Sequence, residues 1–427
     1  MKTMILSRLP PQQLRLIKSI GALASKHGFQ VYLVGGIVRD LLLGRENLDL
    51  DIVVEGDGLG FARLLGAKLS SLTLFHHKFN TAALRLSDHS RIDIASCRKE
   101  TYAHPGALPK VEPGTIEDDL KRRDFSINAL AVCLNHERFG EMLDYCSGWE
   151  DLKKKRISVL HGSSFIDDPT RILRAVRFKE RFNFSFSAHT LTLLKDALKA
   201  DALSFVKPPR LWPEIVKLLK EDTVIRNILF IERLCKWRFL SPAVRIDAKT
   251  KKLLKAISRE IEWFNRCLPG RRKLDVWLIY FFALLEHLTG GQQRLFCERF
   301  NLKAGDRKRI ESIALFKRKK FLNAIEASHP SCSSIYGVLQ PLSYEAILFF
   351  KARTNSVGAK RNLAFFFKTS NLKRLDVTGE DLKSMGFKSG RETGALLRRA
   401  LCAKIDGEIS GRQSQLDYLR RLIKRKS

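Results

Sequence analysis

The chain has 427 residues, of which 44% are hydrophobic, so it is too long for one ordinary core and too apolar for a disordered chain. It holds 77 Lys+Arg against 45 Asp+Glu, a net charge of +32 that points to a polyanionic partner. No apolar run reaches the roughly 18 residues of a membrane span, and the eight cysteines form neither a CxxC pair nor a Cys/His cluster, which excludes a zinc scaffold.

The N-terminal "MKTMILSRLPPQQ" has no long apolar core and no small-residue cleavage site, so a cytoplasmic location is expected. Residues 10–27 have helical apolar spacing and end at Gly28. Short β-rich runs follow at 31–34, 50–54, 81–86 and 91–95, interleaved with helical stretches such as "IVRDLLLG" and "LGFARLLGAKL", and this alternation describes an α/β head. Residues 97–120 carry three prolines and two glycines without a clear period and read as a long loop. After about residue 150 the strand signals fade and apolar positions recur at helical intervals, with "LPGRRK" (268–273) and "SHPSCSS" (328–334) as breaks between helical parts. Charge divides along the same line: residues 1–150 hold 19 basic against 18 acidic side chains, and residues 151–427 hold 58 against 27. A nearly neutral, carboxylate-bearing head is thus joined to a basic helical remainder.

Three stretches carry chemistry. In "VYLVGGIVRDLLLGRENLDLDIVVEGD" (31–57), Asp49 and Asp51 are two residues apart on a strand and share one face, where two anions repel unless a cation lies between them. Two Mg²⁺ ions held there would suit in-line nucleotidyl displacement, with Gly35 and Gly36 admitting phosphates to the backbone and Arg39 adding charge. Asp93, on another predicted strand, is a candidate third member of the cluster or an ordinary surface aspartate. In "RRDFSINALA" (122–131), a helical reading puts Asp124 and Asn128 on one face to hold a ribose or phosphate, or else the stretch is a helix cap followed by core. In "DDPTRILRAVRF" (167–178), Asp168 and Arg171 are one turn apart. They can offer an acceptor and a donor to the edge of cytosine or adenine, where uracil and guanine would turn a carbonyl toward the aspartate. The ordinary alternative is a proline-opened helix start with acids at its positive end.

In this order and at these intervals, "LVGGIVRDLLLG…LDLDIVVEGD", "RRDFSINALA" and "DDPTRILRAVRFKERF" resemble the bacterial class II tRNA nucleotidyltransferases (CCA-adding enzymes) and the related poly(A) polymerases, over about 150 residues. A thinner likeness lies in "VTGEDLKSMGFKSGRETGALLRRA" (377–400), with Gly379, Asp381, Leu382, Gly386, Gly390 and Gly394 at matching places in the family's tail segment. The resemblance implies an α+β fold, a polymerase-β-like nucleotidyltransferase head (1–150) followed by all-α neck (151–222), body (223–350) and tail (351–427). It implies Asp49 and Asp51 as the metal-binding catalytic carboxylates, and Asp93 stays the candidate third member read from its strand. It implies Arg123, Asp124 and Asn128 for ribose and triphosphate, and Asp168 with Arg171 for the base, supported by Arg174. The substrates implied are CTP, ATP and the 3′ end of tRNA, with Mg²⁺ as cofactor. The long loop at 97–120 occupies the place of an element the family needs for adding A, so addition of CC alone is the least expected mode. Asp167 stands where the family usually has glutamate and Ser126 where threonine is common, both chemically conservative. "IASCRKETY" lacks the aromatic residue often found before its arginine. A poly(A) polymerase acting on general RNA 3′ ends is the alternative enzyme, and a catalytically silent RNA-binding protein the alternative of another kind.

Overall fold

A computed structural model describes residues 5–46, 49–88, 90–328, 330–368, 374–387 and 390–424; of the stretches quoted above, residues 1–4, Asn47, Leu48, His329, Lys388 and Ser389 lie outside the described residues. The chain divides into two compact units, residues 1–223 and 224–427.

The first unit is built on one mixed sheet. Its strands are β1 (Gln30–Val34), β2 (Leu50–Glu55), β3 (Leu72–His76), β4 (Thr81–Arg85), β5 (Arg91–Ser96), β8 (Ala131–Cys133) and β9 (Met142–Leu143), in the spatial order β3-β4-β5-β2-β1-β8-β9. Neighbours are antiparallel except β2 and β5, which run parallel with Leu50 opposite Ile92 and Asp51 opposite Asp93. Helices α1 (Pro11–Lys26) and α3 (Gly58–Lys68) lie over the sheet, burying Ile17, Ile20, Phe61 and Leu65 with the strand residues Leu84, Ile92 and Ile94. Gly21 of α1 passes so close to the chain that an added Cβ would meet the Leu134 carbonyl oxygen at 1.8 Å. Helix α2 (Gly36–Leu42) links β1 toward β2.

Residues 97–120 are not a structureless loop. They form the antiparallel hairpin of β6 (Arg98–Thr101) and β7 (Lys110–Pro113), then α4 (Ile116–Lys121), which Thr115 and Asp118 open with a capping box. The hairpin strands are four residues each and mostly charged, so no apolar period marks them. Beyond 150, α5 (Gly148–Lys153), α6 (Ser164–Asp167), α7 (Thr170–Phe182), α8 (Ala188–Lys199) and α9 (Pro208–Leu219) dominate. The expectation of helix alone misses one small parallel pair, β10 (Arg156–Ile157) with β11 (Ser185–Phe186), each too short to show alternation.

The second unit is helical throughout its described residues, from α10 (Val224–Leu234) to α21 (Gly411–Lys424). Helix α12 (Val276–Leu284) is apolar around its whole circumference and every residue of it is buried, with α11 (Ala248–Cys267) and α17 (Tyr344–Arg353) packed on it. A smaller core gathers Leu382, Leu396, Ala400, Leu419 and Leu422 near the C-terminus. There Leu382 packs inward, while Asp381 completes a capping box with Thr378 and pairs with Arg412 at 2.5 Å.

Candidate active site

Strand β2 presents its acids as its alternation requires. Asp49 and Asp51 are exposed while Leu50 between them is 3% exposed on the opposite face. Asp93 stands beside Asp51 across the parallel pair, and its carboxylate accepts from Arg91 Nε and Nη2 at 2.9 and 2.6 Å. Asp51 is exposed yet lines the cavity described below. That partial burial, with the negative charges of Asp93 and Asp49, outweighs Arg123 and Arg91 and pushes the Asp51 carboxyl up to about 6. Among the described residues no group of three or more His, Cys, Asp or Glu side chains is gathered closely enough to hold a metal by itself.

The turn between β1 and α2 admits only glycine at Gly35, which has φ 75° and lies where a Cβ would meet Arg123 Nη1 at 2.8 Å. Its own N–H is taken by the Leu130 carbonyl, and the helical ladder of α2 starts with Arg39 N–H donating to the Gly35 carbonyl at 3.2 Å, so the N–H groups before it have no acceptor within the helix. Arg39 is buried rather than free: Nε and Nη2 pair with Asp40 at 2.9 Å and Nη1 donates to Asn128 Oδ1 at 2.6 Å.

Asp124 and Asn128 are brought together, but not by a helix. α4 ends at Lys121, and Ser126–Asn128 form a 3₁₀ turn in which Asn128 Nδ2 donates to Asp124 Oδ1 at 2.9 Å. Burial would raise the Asp124 carboxyl, but Arg174, donating from Nε and Nη2 to Oδ2 at 2.9 and 2.5 Å, together with Asn128 holds it below the usual carboxylate range. Arg123 donates to Asp119 Oδ2 at 2.9 Å, and its buried Nε has no hydrogen-bond partner.

Asp168 precedes Pro169 and Arg171 follows it by two residues, and neither bonds the other's side chain. Asp168 Oδ1 accepts from Thr170 N and Oγ1 at 3.2 and 2.7 Å and from Arg210 Nη2 at 3.3 Å, so it serves the helix start as well as the cavity. Arg171 is 4% exposed; its Nη1 donates to Ser164 Oγ at 2.7 Å and approaches His161 Nε2 at 3.3 Å, and its Nη2 donates to the Arg122 carbonyl at 2.9 Å.

These residues meet around one open cavity of about 570 Å³, lined by Gly35, Gly36, Arg39, Asp51, Arg123, Asp124, Asn128, Asp168, Arg171 and Arg174 among others. Asp49 and Asp93 are not on its wall. Seven arginines and five carboxylates line it, an excess of two positive charges suited to a triphosphate. Residues that the sequence reading passed over also line it: Glu100, Tyr102, Arg122, Arg177, Arg181 and Glu214. Arg174, Arg177 and Arg181 recur at helical spacing along α7, a visible signal. Glu214, which approaches Arg174 at 3.4 Å from α9, is 40 residues away and leaves none.

An α+β sheet that sets paired carboxylates beside an arginine-lined cavity, with helices after it, defines the polymerase-β-like nucleotidyltransferase class. Residues 31–158 match the family model described as the poly A polymerase head domain. The chain is 36% identical to the A-adding tRNA nucleotidyltransferase of Geobacter sulfurreducens over 97% of its own length, but spans only 47%, about half, of that relative. It is 31% identical to the A-adding tRNA nucleotidyltransferase of Halalkalibacterium halodurans, covering 98% of this chain and 94% of that protein. The solved Thermotoga maritima CCA-adding enzyme complexed with tRNA_CCA superposes with a TM-score of 0.72 at 32% identity, over 99% of this chain and 98% of that one. The chain belongs to the tRNA nucleotidyltransferase family.

Proposed function

We propose that this chain adds C and/or A to the 3′ end of tRNA from CTP and ATP, without a nucleic acid template and with release of pyrophosphate. The observation that carries the reading is the convergence of Asp51, Arg123, Asp124, Asn128, Asp168 and Arg171 on one cavity of triphosphate size. Both relatives described above, matched along nearly all of this chain, are named A-adding, which favours A among its products.

In this reading Asp49 and Asp51 hold Mg²⁺, with Asp93 shaping their field from the neighbouring strand. The donor set fits that ion: two carboxylates, with no cluster of three such ligands among the described residues, suit a cation that completes its shell with water and substrate phosphates. When bound, Mg²⁺ supplies neutralisation of the triphosphate and a lowered pKa for the attacking 3′-hydroxyl. Arg123, with an unused buried Nε, and the first turn of α2 grip the phosphates. Asp124 and Asn128, locked by Arg174 and Arg39, orient the ribose. Asp168 and Arg171 read the base once their present partners yield to it. Residues 1–150 act as the head, 151–222 as neck, and 223–350 and 351–427 as body and tail that hold tRNA phosphates, in the cytoplasm where the tRNA is matured.

The test is to incubate the chain with tRNA transcripts ending before the CCA, after one C and after CC, giving CTP and ATP separately and together, and to sequence the products. Addition of C or A at the expected position supports the reading, and no addition to any transcript overturns it. The match to a model named for poly A polymerase favours one second reading, long A tails on unstructured RNA, which the same assay with such an RNA would reveal.

A further inference from the structure

On the face of the sheet that carries the carboxylates, Ile116 and Leu120 of α4 cover Tyr32, Val34 and Val53 of β1 and β2, but the β3 end is left open. On the face shared by Asp49 and Asp51, register places Asp51, Asp93, Ala83 and Leu74 in one row across β2, β5, β4 and β3, and Arg91, Arg85 and Leu72 in the next. Leu72 and Leu74 are 62% and 52% exposed, although α1 and α3 bury Leu84, Ile92 and Ile94 on the opposite face. An edge strand with two solvent-facing leucines runs against the usual protection of sheet edges by charge. The neighbouring row adds a second anomaly: Arg85 and Arg91 are direct antiparallel partners on this open face, and like charges so placed are unfavourable without an anion between them. Asp93 engages Arg91, which leaves the pair with a net positive charge.

The nucleotide cavity lies on the other side of Asp51. Its Gly35 and Gly36 follow β1, which borders β2 on the side away from β5. In-line displacement brings the attacking hydroxyl in opposite the leaving pyrophosphate, and so from the β5 side. Resting on the function proposed above, we propose that the open β5–β4–β3 face is the platform for the last nucleotides of the RNA acceptor, with Leu72 and Leu74 supporting a base or ribose and Arg85 with Arg91 taking a backbone phosphate. Three strand spacings, about 14 Å, separate Leu74 from Asp51, so the platform ends beside the reacting hydroxyl. Apolar support for unpaired bases combined with cationic phosphate contact is the ordinary chemistry of single-stranded RNA binding.

The experiment uses the full chain carrying Leu72→Ser with Leu74→Ser, and separately Arg85→Gln, on a tRNA transcript that the unsubstituted protein extends. The RNA KM is expected to rise roughly tenfold in each, the scale of one lost base or phosphate contact, with the KM for ATP or CTP unchanged and the melting temperature held. The Arg85→Gln effect should shrink as salt is raised. Unaltered RNA KM in both folded variants overturns the platform while leaving nucleotide addition standing; absence of addition by the unsubstituted chain removes the underlying reaction instead.

Discussion

Asp51 and Asp93 are register neighbours across the parallel β2–β5 pair, and each carries a negative charge toward the same face of the sheet. Partial burial, with the charge of Asp93 added to it, keeps the Asp51 carboxyl partly protonated to about pH 6. In metal-free buffer a carboxyl-carbon NMR titration should place its midpoint near 6, and Asp93→Asn should move it down because one like charge is gone. A raised acid contributes stability that is full below its ordinary value of 3.8 and is lost as pH rises through 6. Asp51→Asn should therefore raise the melting temperature at pH 7 more than at pH 4. An equal change at both pH values would contradict the assignment.

Asn at Asp49 or at Asp51 should lower kcat by several orders of magnitude while tRNA affinity holds. Single-turnover incorporation and a filter-binding titration on the same preparations separate the two effects. Near-normal turnover in both variants would end the proposed role of the pair.

Arg174→Met should destabilise the protein by about 3 kcal/mol, since it leaves Asp124, 8% exposed, as a buried carboxylate without its cation. Adding Asp124→Asn should restore much of that stability in a urea melt without restoring incorporation. Recovery of both together would show that Asp124 supports only the fold.

Much of this site was legible because local alternation and spacing decide it. Asp49 and Asp51 share a face through strand geometry alone, and Gly35 before α2 follows from a turn that leaves no room for a side chain. The pairing of Asp124 with Asn128 was anticipated for the wrong reason, since a 3₁₀ turn rather than an α-helix joins them. The hairpin at β6–β7 was hidden because charged strands standing off the main sheet carry no apolar period. Arg39 lines the cavity where it was expected to add charge, but its partners Asn128, Phe178 and Phe182 come from distant segments and were not foreseen. No one-dimensional pattern records such a meeting.

Asp168→Ala should weaken discrimination against UTP by about 1–3 kcal/mol, the scale of one bidentate base contact. Because Asp168 also accepts from Thr170 N, a loss of about 1 kcal/mol of stability is expected alongside it. Competition between UTP and CTP in a single reaction reads the first effect and thermal melting the second. Unchanged selectivity in a destabilised protein would reduce Asp168 to a helix-start residue.

Helix α12 emerges from the ribosome well before the chain that covers it. Leu284 ends it and Tyr344 begins α17, 60 positions later, with Phe282 destined for Phe349 at a ring separation of 5.6 Å. At about 5–20 residues per second, that interval lasts roughly 3–12 s, during which a wholly apolar segment has α11 and, once it is made, Phe296 to shelter it but not α17. A nascent chain stalled between these helices should be a strong client for holdase chaperones, and a gene cut there should give inclusion bodies.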